Sequence, residues 1–194
     1  FRSLLPVIGI TGSNGKTIIK EWLYQLLQFD FNIVRSPKSY NSKIGVPLSL
    51  CQINNNHTLG IFEAGISQRD EMAILQTMIK PQIGVLGFMG EAHAEGFDSI
   101  EQKINEKLIL FNEVQKLVFC SDNENVSNAV FQYTKEKNPG IELISWGKDD
   151  TATLTIKQVN KQVTNSIIAL KYQNQHLTFR IPFIDEAAIY NVIT

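Results

Sequence analysis

The sequence predicts an α/β fold, a parallel sheet of about six strands with helices on both faces, joined to a small antiparallel sheet of about three strands. Three observations predict it. Short apolar runs alternate with segments of helical period from Val7 to Trp146, the pattern of a parallel sheet covered on both sides. The first run breaks into the turn Gly12-Ser13-Asn14-Gly15-Lys16-Thr17, which opens a helix, the order that a phosphate-binding loop needs. From Thr151 the pattern changes to strand-like runs separated by polar turns.

In order, residues 7–11 are a buried strand and residues 17–27 a helix with Trp22, Leu23, Leu26 and Leu27 at apolar spacing. Residues 31–35 form the next strand. Residues 45–50 start a short helix, with Pro47 in the first turn, where its missing N–H is tolerated. Residues 59–64 are strand-like. The helix 69–79 carries Met72, Leu75, Met78 and Ile79 on one face and is ended by Pro81, ahead of the strand 83–89. Ser99, with Gln102 three residues on, has the pattern of a capping box, and Ile100, Ile104, Leu108 and Phe111 mark the inner face of the helix it opens. A strand 117–120, a helix 126–133 and a strand 141–146 complete a core over residues 1–150. Runs 151–159, 163–172 and 176–181 make an antiparallel annex over residues 151–182, and residues 183–194 begin a closing helix.

With 194 residues and 43% hydrophobic content, the chain can bury a full core as one large domain with a small annex. The 18 basic and 19 acidic residues give a formal net charge of -1, which supplies no electrostatic footprint for nucleic acid or an acidic membrane surface. Small-molecule chemistry is the default. Cys51 and Cys120 lie in apolar surroundings without metal-ligand spacing and read as buried free thiols, which implies a reducing compartment, the cytoplasm. No apolar stretch approaches the roughly 20 residues of a membrane span. A chain that begins with Phe1 and stops inside a helical pattern at Thr194 is expected to be a segment of a longer protein.

In the phosphate loop, backbone N–H groups turn inward, the following helix points its positive end at the anion, Lys16 reaches the outer phosphates, and the Thr17 hydroxyl is placed for Mg²⁺. The match is to a variant, because Ile10 stands where the generic pattern has glycine and glycines occupy positions 9 and 12. Glu63 ends an apolar run, so its charge is expected at a strand mouth, where it can hold a cation against phosphates. His93 follows the strand 83–89; as an isolated histidine it is a weak Mg²⁺ candidate, since that ion prefers oxygen. His57 and His176 read as surface residues.

The segment Thr11-Gly12-Ser13-Asn14-Gly15-Lys16-Thr17 resembles the phosphate loop of the Mur ligases, the ATP-dependent enzymes that extend the peptide of the bacterial cell-wall precursor. The resemblance spans most of the chain. Asn41 ahead of Ile44-Gly45-Val46-Pro47, Glu63-Ala64-Gly65 after a strand, and Ala92-His93-Ala94-Glu95-Gly96-Phe97 are similar to the family's further motifs. Phe88 stands where the family's strand-end Thr-Asn pair has Asn, and Ala187-Ala188 where His-Asn is usual.

The resemblance implies a P-loop type central domain that binds ATP through Gly12, Ser13, Asn14, Gly15, Lys16 and Thr17, with Asn191 on the adenine and Asn41 on the substrate side. It implies that Thr17 and Glu63 hold one Mg²⁺, while His93 and Lys107, as an N-carboxylated lysine formed with CO₂, hold or position a second. Lys16, Lys107 and His93 are then the catalytic set. Lys103, one turn earlier, is the rival for the Lys107 role, and the spacing to Phe111 favours Lys107.

Within the family, Ala-His-x-Glu-Gly-Phe is most similar to members that add D-alanyl-D-alanine to the UDP-N-acetylmuramoyl tripeptide. The segments 106–111 and 182–187 look like the form fused to an alanine racemase. The implied partners are therefore a nucleotide-sugar peptide, a dipeptide, and flanking domains of the same chain. A folylpolyglutamate synthase-like ligase is the neighbouring reading, although its loop usually has Gly-Lys-Gly-Ser where this one has Gly15-Lys16-Thr17-Ile18. A non-catalytic nucleotide-binding module is the reading from a different class.

Overall fold

The computed structural model describes residues 5–90 and 96–194. Its elements follow the expected alternation: β1 (Val7–Thr11), α1 (Lys16–Leu27), β2 (Ile33–Arg35), α2 (Gly45–Leu50), β3 (Leu59–Glu63), α3 (Glu71–Ile79), β4 (Ile83–Leu86), α4 (Ile100–Leu108), β5 (Lys116–Cys120), α5 (Glu124–Lys137) and β6 (Glu142–Gly147). They are followed by β7 (Leu154–Lys161), β8 (Ser166–Tyr172), β9 (Gln175–Ile181) and α6 (Glu186–Ile193). The strand order is β2-β3-β1-β4-β5-β6-β7-β8-β9, and every pairing from β2 to β7 is parallel. After β1 the chain builds outward on one side through β2 and β3, then crosses to β4 on the other. The loop leaving β1 therefore sits at the switch point of the sheet, where open α/β sheets bind ligands.

The antiparallel strands do not form a separate sheet, contrary to the expectation of an annex. Trp146 pairs with Leu154 and Gly147 with Thr155, so β7 continues the main sheet from the end of β6. Two physical reasons favour this. Pairing there satisfies backbone groups that β6 would otherwise leave on a bare edge. It also lets Cys120 and Trp146 share one apolar cluster with Ile168, Leu170 and Ile181 of β8 and β9 and with Ile189 and Ile193 of α6.

The faces of the sheet are covered unequally. Ile19 of α1 packs on Ile8, Ile10, Ile61 and Val85, while α3, α4 and α5 cover the other face through Met72, Leu75, Ile104, Leu108 and Val130. Ser99 caps α4 as expected, its Oγ accepting from Gln102 N at 3.1 Å, while Gln102 Oε1 accepts from Asp98 N at 2.9 Å. Asn123 caps α5 through Val126 N at 3.2 Å and lengthens that helix beyond the expected span.

Four local readings are corrected. β4 ends at Leu86 because Gly87 N donates to Thr11 O at 2.8 Å and Phe88 O accepts from Ser13 N at 2.7 Å, so the apolar residues after it run along the phosphate loop. The buried side of α1 is Ile19 and Lys20, while Leu26 is 73% exposed. Cys51 is exposed, since it caps the surface end of α2; only Cys120 is a buried thiol. β8 starts at Ser166 because Val163 lies in the turn that Gln162 N closes on Asn165 O at 2.8 Å. Among the described residues, no helix is long and apolar enough to cross a membrane.

Gly84 in β4 admits Phe111, from the turn after α4, directly against the sheet: a Cβ there would meet Phe111 Cδ1 at 2.5 Å and Leu117 Cδ1 at 3.0 Å. Gly84→Ala is therefore an overpacking change, expected to lower unfolding free energy by about 1–3 kcal/mol in urea denaturation. A variant as stable as the parent would show that Phe111 is not held against the strand.

Candidate functional site

The site grows from the carboxyl ends of β1 and β3. β1 delivers the chain to Gly12, at φ 152°, where a Cβ would meet the Gly87 backbone at 3.0 Å, and Gly15, at φ 82°, starts α1 from the left-handed region. Both positions need glycine so that the backbone can curl around an anion. Ser13 Oγ lies out of solvent contact without a hydrogen-bond partner among the described residues. An unsatisfied hydroxyl inside a cradle of N–H groups at a helix start fits a phosphate oxygen.

Glu63, the last residue of β3, is buried, and Thr17 Oγ1 donates to its Oε2 at 2.8 Å and Oε1 at 3.2 Å. Burial pushes its carboxyl above the usual range, opposed by the Thr17 hydrogen bond and by Lys20 and Lys16. Lys16 Nζ donates to Gly12 O at 2.9 Å and Ser13 O at 3.1 Å; burial lowers its pKa and the Glu63 charge resists that fall. A hydroxyl and a carboxylate side by side form an oxygen donor pair that suits Mg²⁺ completed by phosphate and water. Among the described residues, no three His, Cys, Asp or Glu side chains converge as a self-sufficient metal cage.

Lys107 reaches the same loop from the opposite face. Its Nζ donates to Gly12 O at 3.1 Å, and the side chain is buried. Burial first, then the Lys16 and Lys103 ammonium groups, lower its pKa to about 7. A cleft of about 500 Å³ opens between these groups and the chain around Asn41, with Gly12, Ser13, Asn14, Lys16, Asn41 and Lys107 in its lining. Asn41 O accepts from Gly65 N at 2.8 Å, which fixes that wall to the end of β3. The Asn191 side chain lies against Gly15. Lys103 lines the cleft as well, but it is Lys107 that hydrogen-bonds the phosphate loop. His93 lies outside the described residues.

Three residues at the site escape a reading of the sequence. Glu71 lines the cleft, accepts from Ser67 N at 2.7 Å and Gln68 N at 3.0 Å, and pairs with Lys43 at 3.0 Å. Lys20 is buried beneath Glu63. The only signal for Lys20 is its spacing of four from Lys16, which puts both on one side of α1.

Residues 10–194 match the Mur ligase middle domain. Over 150 residues the chain is 29% identical to the UDP-N-acetylmuramoyl-tripeptide--D-alanyl-D-alanine ligase of Borreliella burgdorferi, covering 77% of this chain and 32% of that protein. It therefore spans about a third of that relative. Among solved structures, a crystal structure of MurF from Acinetobacter baumannii superposes with TM-score 0.84 at 19% identity, covering 97% of this chain and 41% of that one. MurF ligase from Thermotoga maritima in complex with ADP gives TM-score 0.80 at 23% identity over 97% of this chain and 43% of that one. At these identities the superpositions show the fold.

The Lys107 environment has a consequence for stability. Its pKa falls from an ordinary 10.5 to about 7, so between those limits the unfolded chain holds a proton that the folded chain has released, and stability rises with pH. Below that window the folded protein carries the full cost of a buried ammonium. Lys107→Met is expected to be more stable than the parent near pH 6, with the gap closing towards about pH 10. Urea denaturation across that range checks it; a gap independent of pH would contradict the assignment.

Proposed function

This chain belongs to the Mur ligase family, and from that premise we propose that it is the ATP-binding domain of the ligase that adds D-alanyl-D-alanine to UDP-N-acetylmuramoyl tripeptide. The observation that carries the reading is the convergence of Lys16, the Thr17–Glu63 pair and Lys107 on one phosphate loop. The cleft beside it suits anions, because among the described residues Lys16, Lys43 and Lys103 line it against the carboxylate of Glu71.

ATP passes its outer phosphoryl group to the tripeptide carboxylate, giving an acyl phosphate and ADP. The dipeptide amine attacks that carbonyl, the amide forms, and phosphate leaves with the amine proton lost to solvent. Lys16 stabilises charge on the transferring group, which is the main task in phosphoryl transfer. Thr17 and Glu63 would hold Mg²⁺, which supplies further neutralisation of the phosphate oxygens. Gly12, Ser13, Asn14 and Gly15 orient the phosphates, Asn191 faces the adenine, and Asn41 lies on the substrate side.

Lys107 is the carbamate residue in this reading. A neutral amine adds to CO₂ and loses its proton, and the burial that lowers its pKa to about 7 raises the neutral fraction. The product is an anionic oxygen ligand that, with His93, would hold a second Mg²⁺. The reaction belongs to the cytoplasm, where ATP is supplied and free cysteines persist. Flanking domains of the longer chain would bring the nucleotide-sugar peptide and the dipeptide, so residues 1–194 alone should bind nucleotide without ligating, since orientation is a large part of the rate.

The test is phosphate release by the full-length protein with ATP, muramoyl tripeptide and D-alanyl-D-alanine. Turnover should require all three, and Lys107→Ala should lose at least about 100-fold, with partial recovery from a small carboxylic acid that refills the anionic position. Turnover with a folate and glutamate in their place, or no turnover with any acceptor, would overturn the assignment. A dead Lys103→Ala beside an active Lys107→Ala would move the carbamate by one helical turn.

A further inference from the structure

Lys20 has a relative exposure of 0%, and no step of the chemistry above uses it. Its ammonium donates to Ser36 O at 2.7 Å and to Lys38 O, lies 3.3 Å from Glu21 Oε1, and lies 4.0 Å from Glu63 Oε1. Arg35 already neutralises Glu21, with its guanidinium at 3.1 Å. The charge on Lys20 is shared between Glu21 and the fully buried Glu63. A buried ion pair is weak as a stabilising device, because desolvating both charges offsets most of their attraction. A neutral N–H donor would serve the Ser36 and Lys38 carbonyls without that cost.

The division of the Glu63 oxygens gives the pair another use. Oε1 lies 4.0 Å from the Lys20 ammonium and accepts the longer Thr17 hydrogen bond at 3.2 Å, while Oε2 accepts the shorter one at 2.8 Å. Lys20 also holds the turn after β2, where Ser36 Oγ accepts from Glu63 N at 3.3 Å and Ser36 N donates to Ile61 O at 3.1 Å. One cation therefore lies beside the carboxylate and supports the residue that fixes its backbone.

We propose that Lys20 is a positioning residue for the metal end of this site: its charge beside Glu63 Oε1 biases the carboxylate to take the cation through Oε2 beside Thr17, and thereby sets the preference for Mg²⁺ over Ca²⁺. The inference rests on the reading that Thr17 and Glu63 hold Mg²⁺. Ca²⁺ accepts both oxygens of a carboxylate and tolerates irregular geometry, whereas Mg²⁺ is smaller and demands a fixed arrangement. A carboxylate with an ammonium beside one of its oxygens is biased against chelating through both, which favours the smaller ion.

The experiment measures ADP affinity of the full-length protein by calorimetry without divalent ion, with Mg²⁺, and with Ca²⁺. Glu63→Gln tests the underlying reading and should lose most of the tightening that Mg²⁺ gives. Lys20→Gln keeps an N–H donor for the Ser36 and Lys38 carbonyls but removes the charge. It should leave metal-free ADP affinity within about 2-fold and reduce the ratio of Mg²⁺ to Ca²⁺ tightening by about 5-fold or more. A lysine that only supported the fold would weaken all three conditions together, and that result would overturn the proposal, as would an unchanged ratio. If Lys20→Gln does not fold, Lys20→Gln/Glu63→Gln removes both buried charges and keeps the N–H donor; that double variant should fold and discriminate no worse than Glu63→Gln alone, and a further loss would overturn the proposal. If Glu63→Gln keeps full Mg²⁺ tightening, the metal reading and this inference fall together.

Discussion

A carboxylate removed from solvent at the end of a parallel strand is the constraint around which this site is arranged. The burial of Glu63 is offset in part by a hydrogen bond from Thr17 and by the charges of Lys20 and Lys16, all three residues coming from the first two turns of α1. Those three positions are tied to one helix, and the helix is placed by the glycine turn that leaves β1. The acid, the phosphate loop and the start of α1 thus form one unit. Moving any of them would leave a charge unpaired in a dry environment, where it costs several kcal/mol.

The sheet supplies the rest of the geometry. Its strand order puts the β1 loop at the point where connections diverge, so chain from β3 and chain from α4 approach the loop from different sides. Glu63 comes from one and Lys107 from the other. Glu63 meets the start of α1 at Thr17, and Lys107 meets the loop at Gly12, whose carbonyl accepts from both Lys16 and Lys107. Two ammonium groups on one carbonyl is an arrangement that repels itself. Burial first, and this repulsion second, lower the proton affinity of Lys107, the condition under which a lysine becomes a nucleophile.

Much of this was legible in the residues. The apolar run from Val7 and Pro47 in the first turn of its helix matched β1 and α2 to the residue, because buried strands and proline leave few alternatives. The ends of β4 and β8 were not legible, since Phe88 and Val163 are as apolar as strand residues and only their hydrogen bonding excludes them. A period of two also does not say which strand is the neighbour, so the junction of β6 with β7 went unread. Within the site, the phosphate loop and Glu63 announced themselves by glycine spacing and by a charge after an apolar run. Lys107 was marked only by family resemblance, and Lys20 only by its spacing of four from Lys16, because helical lysines usually reach solvent and periodicity treats them so.

The most direct measurement is a crystal structure of this protein with ADP and Mn²⁺, the ion located by its anomalous scattering. The account predicts a peak that contacts Glu63 Oε2, Thr17 Oγ1 and a phosphate oxygen, with the direct Thr17–Glu63 hydrogen bond opened to admit it. Phosphates held by the loop while the ion lies elsewhere, with that hydrogen bond intact, would contradict it.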